Sequence, residues 1–161
     1  MKTGLCIVTI FAFALGCARR ADNELWLIPE GYCGYLVVIP NRTNGIPKRH
    51  EKGFLLYEFP RDGVLKTQFE LNYGVMEKPE YFMVGANGAR TRVSQAETSA
   101  DREKLADGEW YVSRSYVTSD SRLPYGNFLW IYVDQKHHAP IAKPRPVEEL
   151  LLEYAKRGGD I

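Results

Sequence analysis

The sequence predicts a mainly β fold: an antiparallel β-sandwich or barrel-like domain with one C-terminal α-helix. Seven to nine short runs, most of them apolar and rich in β-branched and aromatic residues, are separated by turns, several of which contain proline, glycine or asparagine. This pattern is typical of strands joined by turns. Only one segment, near the end of the chain, has the apolar spacing of an amphipathic helix, so alternating βαβ units are not expected.

Length and charge narrow the class of protein. The chain has 161 residues, of which 45% are hydrophobic and 25% charged, enough for one compact domain that folds. Its 21 Lys and Arg residues nearly balance 20 Asp and Glu residues. A neutral chain has no general electrostatic attraction to nucleic acid, so we expect no nucleic-acid partner.

Residues 1–16 predict a signal peptide. A single basic residue, Lys2, precedes an uninterrupted apolar run from Leu5 to Leu15. As a helix this run spans about 16 Å, roughly half the hydrocarbon thickness of a bilayer. A basic start, a short apolar run and small residues at its end are typical of secretory leaders, so we expect export.

The leader ends in Ala14-Leu15-Gly16-Cys17. This resembles the lipobox of bacterial lipoproteins, with Ala14 and Leu15 in the reverse of the usual order. The resemblance implies that Cys17 is the lipid attachment site and that residues 17–24 are the lipidated cysteine and a short tether. It also implies that the protein is anchored to the cell membrane or outer membrane through palmitate-like acyl chains. Ordinary signal cleavage is the alternative.

The cysteine count bears on disulfides. The sequence contains Cys6, Cys17 and Cys33. The first would leave with the signal peptide and the second, by the lipobox resemblance, would be acylated, which would leave Cys33 alone. We therefore expect no internal disulfide, and Cys33 is interpreted as a small buried hydrophobe. If Cys17 is not acylated, a Cys17–Cys33 bridge becomes an open alternative.

Residues 25–134 are predicted to form the β-sandwich domain. Asp-Gly within Pro60–Gly63 predicts a hairpin into 64–69, and Asn-Gly within Ala86–Gly88 predicts another. The predicted strands are 25–28, 35–39, 54–59, 64–69, 81–84, 90–93, 110–118 and 128–134.

The polar segment Ser94–Glu109 is predicted to be a long surface loop, with helical turns at 101–106. Residues 135–146 contain three prolines and predict an extended linker. Residues 147–157 predict the C-terminal helix. Apolar side chains recur there at i, i+3, i+4 and i+7. Pro146 suits the first helical position, acidic residues lie in the first turn, and basic residues lie in the last turn.

One stretch resembles a known family. Ile28-Pro29-Glu30-Gly31-Tyr32-Cys33-Gly34, a Val-rich strand, then Phe59-Pro60, Thr67-Gln68 and Tyr81-Phe82 resemble an uncharacterised domain family of small bacterial lipoproteins. The resemblance covers about residues 26–93. It implies the cellular location and the fold of the protein, and it implies no activity. Glu30, in the motif's turn, is interpreted as a solvated carboxylate.

No catalytic motif is present. The sequence lacks the Gly-x-Ser-x-Gly elbow, the phosphate-binding glycine loop and the HExxH helix. Asp134 with His138 is at most a weak metal site, because the adjacent His137 and His138 point to opposite faces of a strand. We therefore predict no catalytic residues, no metal ligands and no cofactor.

Aromatic residues are the remaining candidates for binding. Trp110-Tyr111, Tyr116 and Phe128–Tyr132 are able to form a stacking surface for sugars or for a protein partner. Packing in the core is the favoured interpretation, because strands of a sandwich are commonly rich in aromatic residues.

These observations predict an exported, lipid-anchored envelope protein that acts as a non-catalytic binding or structural module, with an envelope protein or glycan as ligand. One alternative is an inhibitor or immunity-type lipoprotein that presents Ser94–Glu109 to a target enzyme. Another is a cell-envelope hydrolase, which requires His138, Asp134 and a further acid to converge.

Overall fold

The computed structural model describes residues 20–74, 78–113, 115–119, 121, 123, 126–137 and 146–156. The predicted signal peptide (1–16), the predicted lipid attachment site Cys17, and His138 lie outside the described residues. So do residues 138–145, which form most of the predicted linker.

Short strands dominate the described residues. In chain order they are β1 (Glu24–Pro29), β2 (Gly34–Ile39), β3 (His50–Glu51), β4 (Phe54–Glu58), β5 (Val64–Lys66), β6 (Glu80–Val84), β7 (Arg90–Arg92), β8 (Ser94–Gln95), β9 (Trp110–Val112), β10 (Tyr116–Ser119) and β11 (Asn127–Gln135). The helices are α1 (Ser99–Glu103) and α2 (Val147–Lys156). Within the described ranges, no helix has the length and apolar character needed to cross a membrane.

The strands form two facing sheets. One has the order β3-β4-β1-β6-β7, and the other has the order β5-β2-β11-β9-β8, with β10 also paired to β11. The predicted β-sandwich is confirmed, and the sheets do not close into a barrel. The sheets are mixed, because four of the nine pairings between described strands are parallel. After β1 the chain enters the other sheet as β2, so β4 and β6 return beside β1 in its own direction.

The two predicted hairpins have different outcomes. The Asn-Gly turn joins β6 to β7 as an antiparallel pair, as predicted. The Asp-Gly turn does not form a hairpin, because β4 already has β1 and β3 on its two sides. The chain instead crosses to the second sheet, where β5 pairs in parallel with β2.

The main core lies between the sheets. Trp26, on the central strand β1, is fully buried and packs against the rings of Tyr57 and Phe59, with centroid distances of 5.1 and 5.2 Å. Leu36 and Ile131 face it from the second sheet and are also fully buried. Removal of these large side chains from water is the dominant favourable contribution to folding.

The predicted C-terminal helix is confirmed as α2. Its buried residues, Val147 and Leu151, pack on the outer face of the second sheet against Val37, Ile39 and Phe128. The helix therefore covers part of a face that would otherwise be exposed to water.

The segment Ser94–Glu109 is more ordered than predicted. It contains β8 and α1, and the helical turn begins at Ser99 rather than at Asp101. Thr98 determines this start, because its side chain accepts a hydrogen bond from the Asp101 backbone N–H while the Asp101 carboxylate accepts one from the Thr98 N–H.

Candidate functional site

A row of partly exposed aromatic side chains lies on the outer face of the second sheet. Along β11, alternate side chains from Leu129 to Val133 are buried between the sheets, and those from Phe128 to Tyr132 point outward. Helix α2 covers Phe128 completely. Trp130 and Tyr132, further along the strand, are only partly buried.

Neighbouring strands extend this row. Tyr116 on β10 lies opposite Trp130, and the two rings stack with centroids 4.8 Å apart and planes inclined by 25°. Tyr35 on β2 lies opposite Tyr132, with ring centroids 5.0 Å apart, and contacts Trp130 at 5.4 Å. We call Tyr116, Trp130, Tyr35 and Tyr132 the aromatic surface.

Hydrogen bonds hold the aromatic surface in place. The indole Nε1 of Trp130 donates to Oγ1 of Thr118 at 2.9 Å, which fixes the plane of the ring. The backbone N–H of Tyr132 donates to Oγ of Ser113, which follows β9, at 2.9 Å. Tyr116 is 47% exposed. A side chain whose orientation is already fixed loses little conformational freedom when a partner contacts it.

Two tyrosines of this surface, Tyr132 and Tyr35, remain neutral at physiological pH. Burial, together with the nearby Asp134, raises the pKa of Tyr132 to about 12. Burial and the Glu148 carboxylate also raise the pKa of Tyr35. The phenol groups therefore act as uncharged hydrogen-bonding groups.

Beside Tyr132, the turn between β1 and β2 contacts the end of β11. Sγ of Cys33 lies 3.5 Å from Oδ1 of Asp134, and the Tyr111 hydroxyl donates to Oδ2 of Asp134 at 3.3 Å. Burial and the Asp134 carboxylate raise the pKa of the half-buried Cys33 thiol to about 11. Since the thiolate is the reactive form, this cysteine is a poor nucleophile near neutral pH.

The described residues do not bring metal ligands together around Asp134. His137 lies at the end of the strand with its Nε2 3.4 Å from Oδ1 of Asp107. Across the described part of the chain, no group of three or more His, Cys, Asp or Glu side chains is arranged to hold a metal ion.

At the opposite end of β1, the start of the described chain is fixed to the sandwich. The backbone N–H of Asp22 donates to Oδ1 of Asn72 at 3.0 Å, and Nδ2 of Asn72 donates back to the Asp22 carbonyl at 2.7 Å. The Asp22 carboxylate lies 2.7 Å from Nζ of Lys48 and 3.3 Å from Nε2 of His50. Ala21 is already buried.

A buried carboxylate adjoins this attachment. Glu24 is 4% exposed and accepts hydrogen bonds from Nε1 of Trp26 at 2.9 Å and Nδ2 of Asn72 at 3.0 Å. Desolvation raises its pKa, and the two hydrogen bonds only partly oppose that effect. Sequence reasoning missed this residue, because a glutamate just before an apolar run is indistinguishable from a solvated one.

One open cleft elsewhere is polar and contains paired charges. The cleft between β6 and α1 has a volume of about 360 Å³ and contains Arg92, whose guanidinium lies 3.6 Å from Glu80. Lys104 in the same cleft lies 3.4 Å from Asp101. Cations that are already paired offer little net attraction to an anionic ligand.

The predicted aromatic candidates therefore separate into two groups. Phe128 and Tyr111 are buried, as the core interpretation predicted. Tyr116, Trp130 and Tyr132 meet on the surface together with Tyr35, which sequence reasoning did not select. Glu30 is exposed in its turn, in agreement with its interpretation as a solvated carboxylate.

Comparison with known proteins agrees with this fold. A crystal structure of a Bacillus anthracis protein, described as a putative lipoprotein, superposes with a TM-score of 0.54 at 18% identity, covering 86% of this chain and 94% of that one. No curated protein matches the chain. Residues 20–124 match a family of unknown function, DUF6843, and this match spans more than half of the sequence. The chain is therefore a member of the DUF6843 family.

Proposed function

We propose that this protein is exported, acylated at Cys17, cleaved so that residues 1–16 are removed and Cys17 becomes the N-terminus, and held at a bacterial envelope membrane. There the sandwich serves as a non-catalytic binding or structural module. Three observations support the proposal: the lipobox-like end of the leader, membership of DUF6843, and a fold shared with a Bacillus anthracis protein described as a putative lipoprotein.

The observation that carries the proposal is that residues Ala21–Glu24 are attached to one end of the sandwich. Only residues 18–20 separate Cys17 from the buried Ala21, a span of at most about 14 Å between the two Cα atoms. Residues Ala21–Glu24, at the end of the predicted tether, are packed on the domain. A lipid on Cys17 would therefore hold the folded domain against the membrane surface.

The same geometry orients the aromatic surface. Strand β1 runs about 20 Å from the Asp22–Asn72 attachment to the turn containing Cys33, which contacts the end of β11. Tyr35 and Tyr132 adjoin that turn. An anchor at Cys17 would therefore leave this end of the aromatic surface pointing away from the bilayer.

Membrane partition of two cysteine variants tests the proposal. We expect wild type and Cys33→Ala to fractionate with membranes and to require detergent for extraction, and Cys17→Ala, expressed behind a leader that is cleaved without acylation, to be released in soluble form. Cys33→Ala is the matched control, because it removes a thiol without touching the acylation site. Membrane retention of Cys17→Ala equal to wild type would contradict the proposal.

An inhibitor or immunity role is a second candidate, favoured by the ordered segment Ser94–Glu109. Oγ of Ser94 donates to Glu109 at 2.6 Å, and Nζ of Lys136 donates to the carbonyls of Glu103 and Leu105. A rigid exposed segment loses little entropy on docking. If this role is correct, an envelope enzyme that co-purifies with the wild type should be lost with Thr98→Ala, which removes the cap of α1.

A further inference from the structure

We propose that the end of the sandwich nearest Cys17 docks directly on a membrane surface that contains anionic phospholipids, with the phosphates of their headgroups as its ligands. This inference rests on the proposed function, because it adds a lipid class and a contact surface to the anchored domain. We call this end the anchor face and define it by five side chains: Arg20, Lys48, Lys52, Tyr73 and Lys78.

Strand pairing brings three of these side chains to the same end. Strands β1, β4 and β6 are parallel neighbours, with Glu24 opposite Leu55 and Leu25 opposite Glu80. The segments that precede the three strands therefore meet at one end of the sheet. These segments contain three exposed cations, Arg20, Lys52 and Lys78.

Contacts with the chain start hold Lys48 and Tyr73 at this end as well. Nζ of Lys48 lies 2.7 Å from the Asp22 carboxylate, and its side chain is still 48% exposed. Tyr73 follows Asn72, which is hydrogen-bonded to the backbone of Asp22, and is 51% exposed. Tyrosine is enriched at membrane–water interfaces, where its ring lies at the level of the headgroups. An exposed tyrosine beside the tether is therefore suited to contact lipid.

The anchor face carries an excess of positive charge. Its four cations lie beside two acids, Asp22 and Glu70. Arg19, which precedes Arg20 in the tether, adds a further positive charge. Two neighbouring carboxylates, one on β3 and one at the start of β6, are each bound to an arginine of β7, so these pairs add no net charge. Basic residues close to an anionic lipid surface are attracted to it.

The opposite end of the sandwich has the reverse balance. It consists of the segments after β1 and β4, the segment before β9 and the end of β11. The cations there are Arg61 and Lys136, and the acids are Glu30, Asp62, Asp107, Glu109 and Asp134. The chain as a whole is nearly neutral, but its charge is separated along the strands. Such a separation orients the domain at an anionic surface, with the anchor face toward the lipid.

The short tether makes this docking effective. At most about 14 Å separates the Cα atoms of Cys17 and Ala21. A lipid on Cys17 would therefore keep the anchor face beside the headgroups, so that each docking event becomes intramolecular. A weak attraction then suffices to hold the face on the membrane, because the local concentration of headgroups is high.

Vesicle binding of the mature chain without its lipid tests the inference. The protein is Cys17→Ala, expressed behind a leader that is cleaved without acylation. The vesicles contain either phosphatidylcholine alone or phosphatidylcholine mixed with an equal amount of phosphatidylglycerol. We expect co-sedimentation with the mixed vesicles, much less with phosphatidylcholine alone, and release at about 1 M salt, where charges are screened beyond about 3 Å.

Two pairs of variants in this background locate the contact. Lys52 and Arg61 are exposed cations in the turns before and after β4, at opposite ends of one strand. Lys52→Gln should weaken binding to the mixed vesicles by about fivefold, whereas Arg61→Gln should leave it unchanged. Tyr73→Ala should also weaken binding. Tyr116→Ala should not, because Tyr116 is 47% exposed but lies on the outer face of the second sheet.

Three results would overturn the inference: no binding to the mixed vesicles, equal binding to the two kinds of vesicle, or equal weakening by Lys52→Gln and Arg61→Gln. Acylation of Cys17 is measured on the wild-type protein and does not enter this assay. Failure of docking would therefore leave the lipid anchor in place, and an unacylated Cys17 would leave the vesicle result unchanged, so the two failures are distinguishable.

Discussion

Gly63 is the residue at which backbone and side-chain packing most clearly exclude any other amino acid. Its φ is +76°, and a Cβ atom added there would clash with the Tyr32 hydroxyl and would lie 2.7 Å from the Tyr35 carbonyl oxygen. The Tyr32 hydroxyl itself donates to that carbonyl. The Asp-Gly turn is therefore selected by contact with the β1–β2 turn as well as by its positive φ.

We expect Gly63→Ala to destabilise the fold by about 1–2 kcal/mol from the positive φ and by about 1–3 kcal/mol more from the clash. Gly88→Ala is the control, because Gly88 has a φ of +78° but no atom within 4 Å of the added Cβ. Urea denaturation of both variants measures the difference. Equal losses of stability would show that the Tyr32 contact is unimportant.

The buried Glu24 carboxylate predicts how the free energy of unfolding depends on pH. Its pKa in the folded state is raised, so the unfolded chain loses its proton first as pH increases. The free energy of unfolding should therefore fall as pH rises from about 4.5 through the folded pKa of Glu24. Glu24→Gln should remove this fall, as measured by urea denaturation between pH 4 and pH 8.

Asp22 provides the control of opposite sign. Hydrogen bonds from Lys48 and His50 lower its pKa, so its contribution to stability is present above the unfolded pKa and lost as pH falls through the folded pKa. Asp22→Asn should therefore flatten the acid side of the profile only. If Glu24→Gln and the wild type have parallel profiles above pH 4.5, the buried carboxylate is not ionised as we describe.

At the scale of single elements, α2 is the clearest test of packing. Leu151 is fully buried against the outer face of the second sheet, whereas its neighbour Leu150 is 37% exposed. Leu151→Ala should cost about 2–5 kcal/mol, and Leu150→Ala less than about 0.5 kcal/mol, because alanine is as good a helix former as leucine. Similar denaturation midpoints for the two variants would contradict docking of α2.

Elements that depend on local sequence were predictable. The apolar spacing predicted α2 to within one residue at its C-terminal end, and the Asn-Gly pair predicted the β6–β7 hairpin. Both signals act over only a few residues. The hairpin predicted from the Asp-Gly pair was wrong, because β1 and β3 already flank β4 and override the local preference of the turn. Parallel pairing was equally unpredictable, because it depends on which sheet the chain enters next.

At the scale of the whole molecule, the aromatic residues were visible in the sequence, but the surface they form was not. Register determines which rings point outward, and α2 determines how much of each ring remains exposed: Phe128 is fully buried, whereas Trp130, which also packs against the α2 cluster, is only partly buried. Tyr35 joins Tyr132 only through the pairing of β2 with β11, about a hundred residues apart in the chain. The attachment of Asp22 to Asn72 is similarly non-local.

The central claim is that a lipid on Cys17 joins the membrane to the end of the sandwich where Asp22 is bonded to Asn72. The most direct test is the mass of the N-terminal tryptic peptide from protein extracted out of membranes. We predict a peptide of Cys17-Ala18-Arg19 whose thiol carries diacylglycerol, with residues 1–16 absent. A peptide that continues through Gly16 into Cys17, or that begins at Cys17 with an unmodified thiol, would contradict the account.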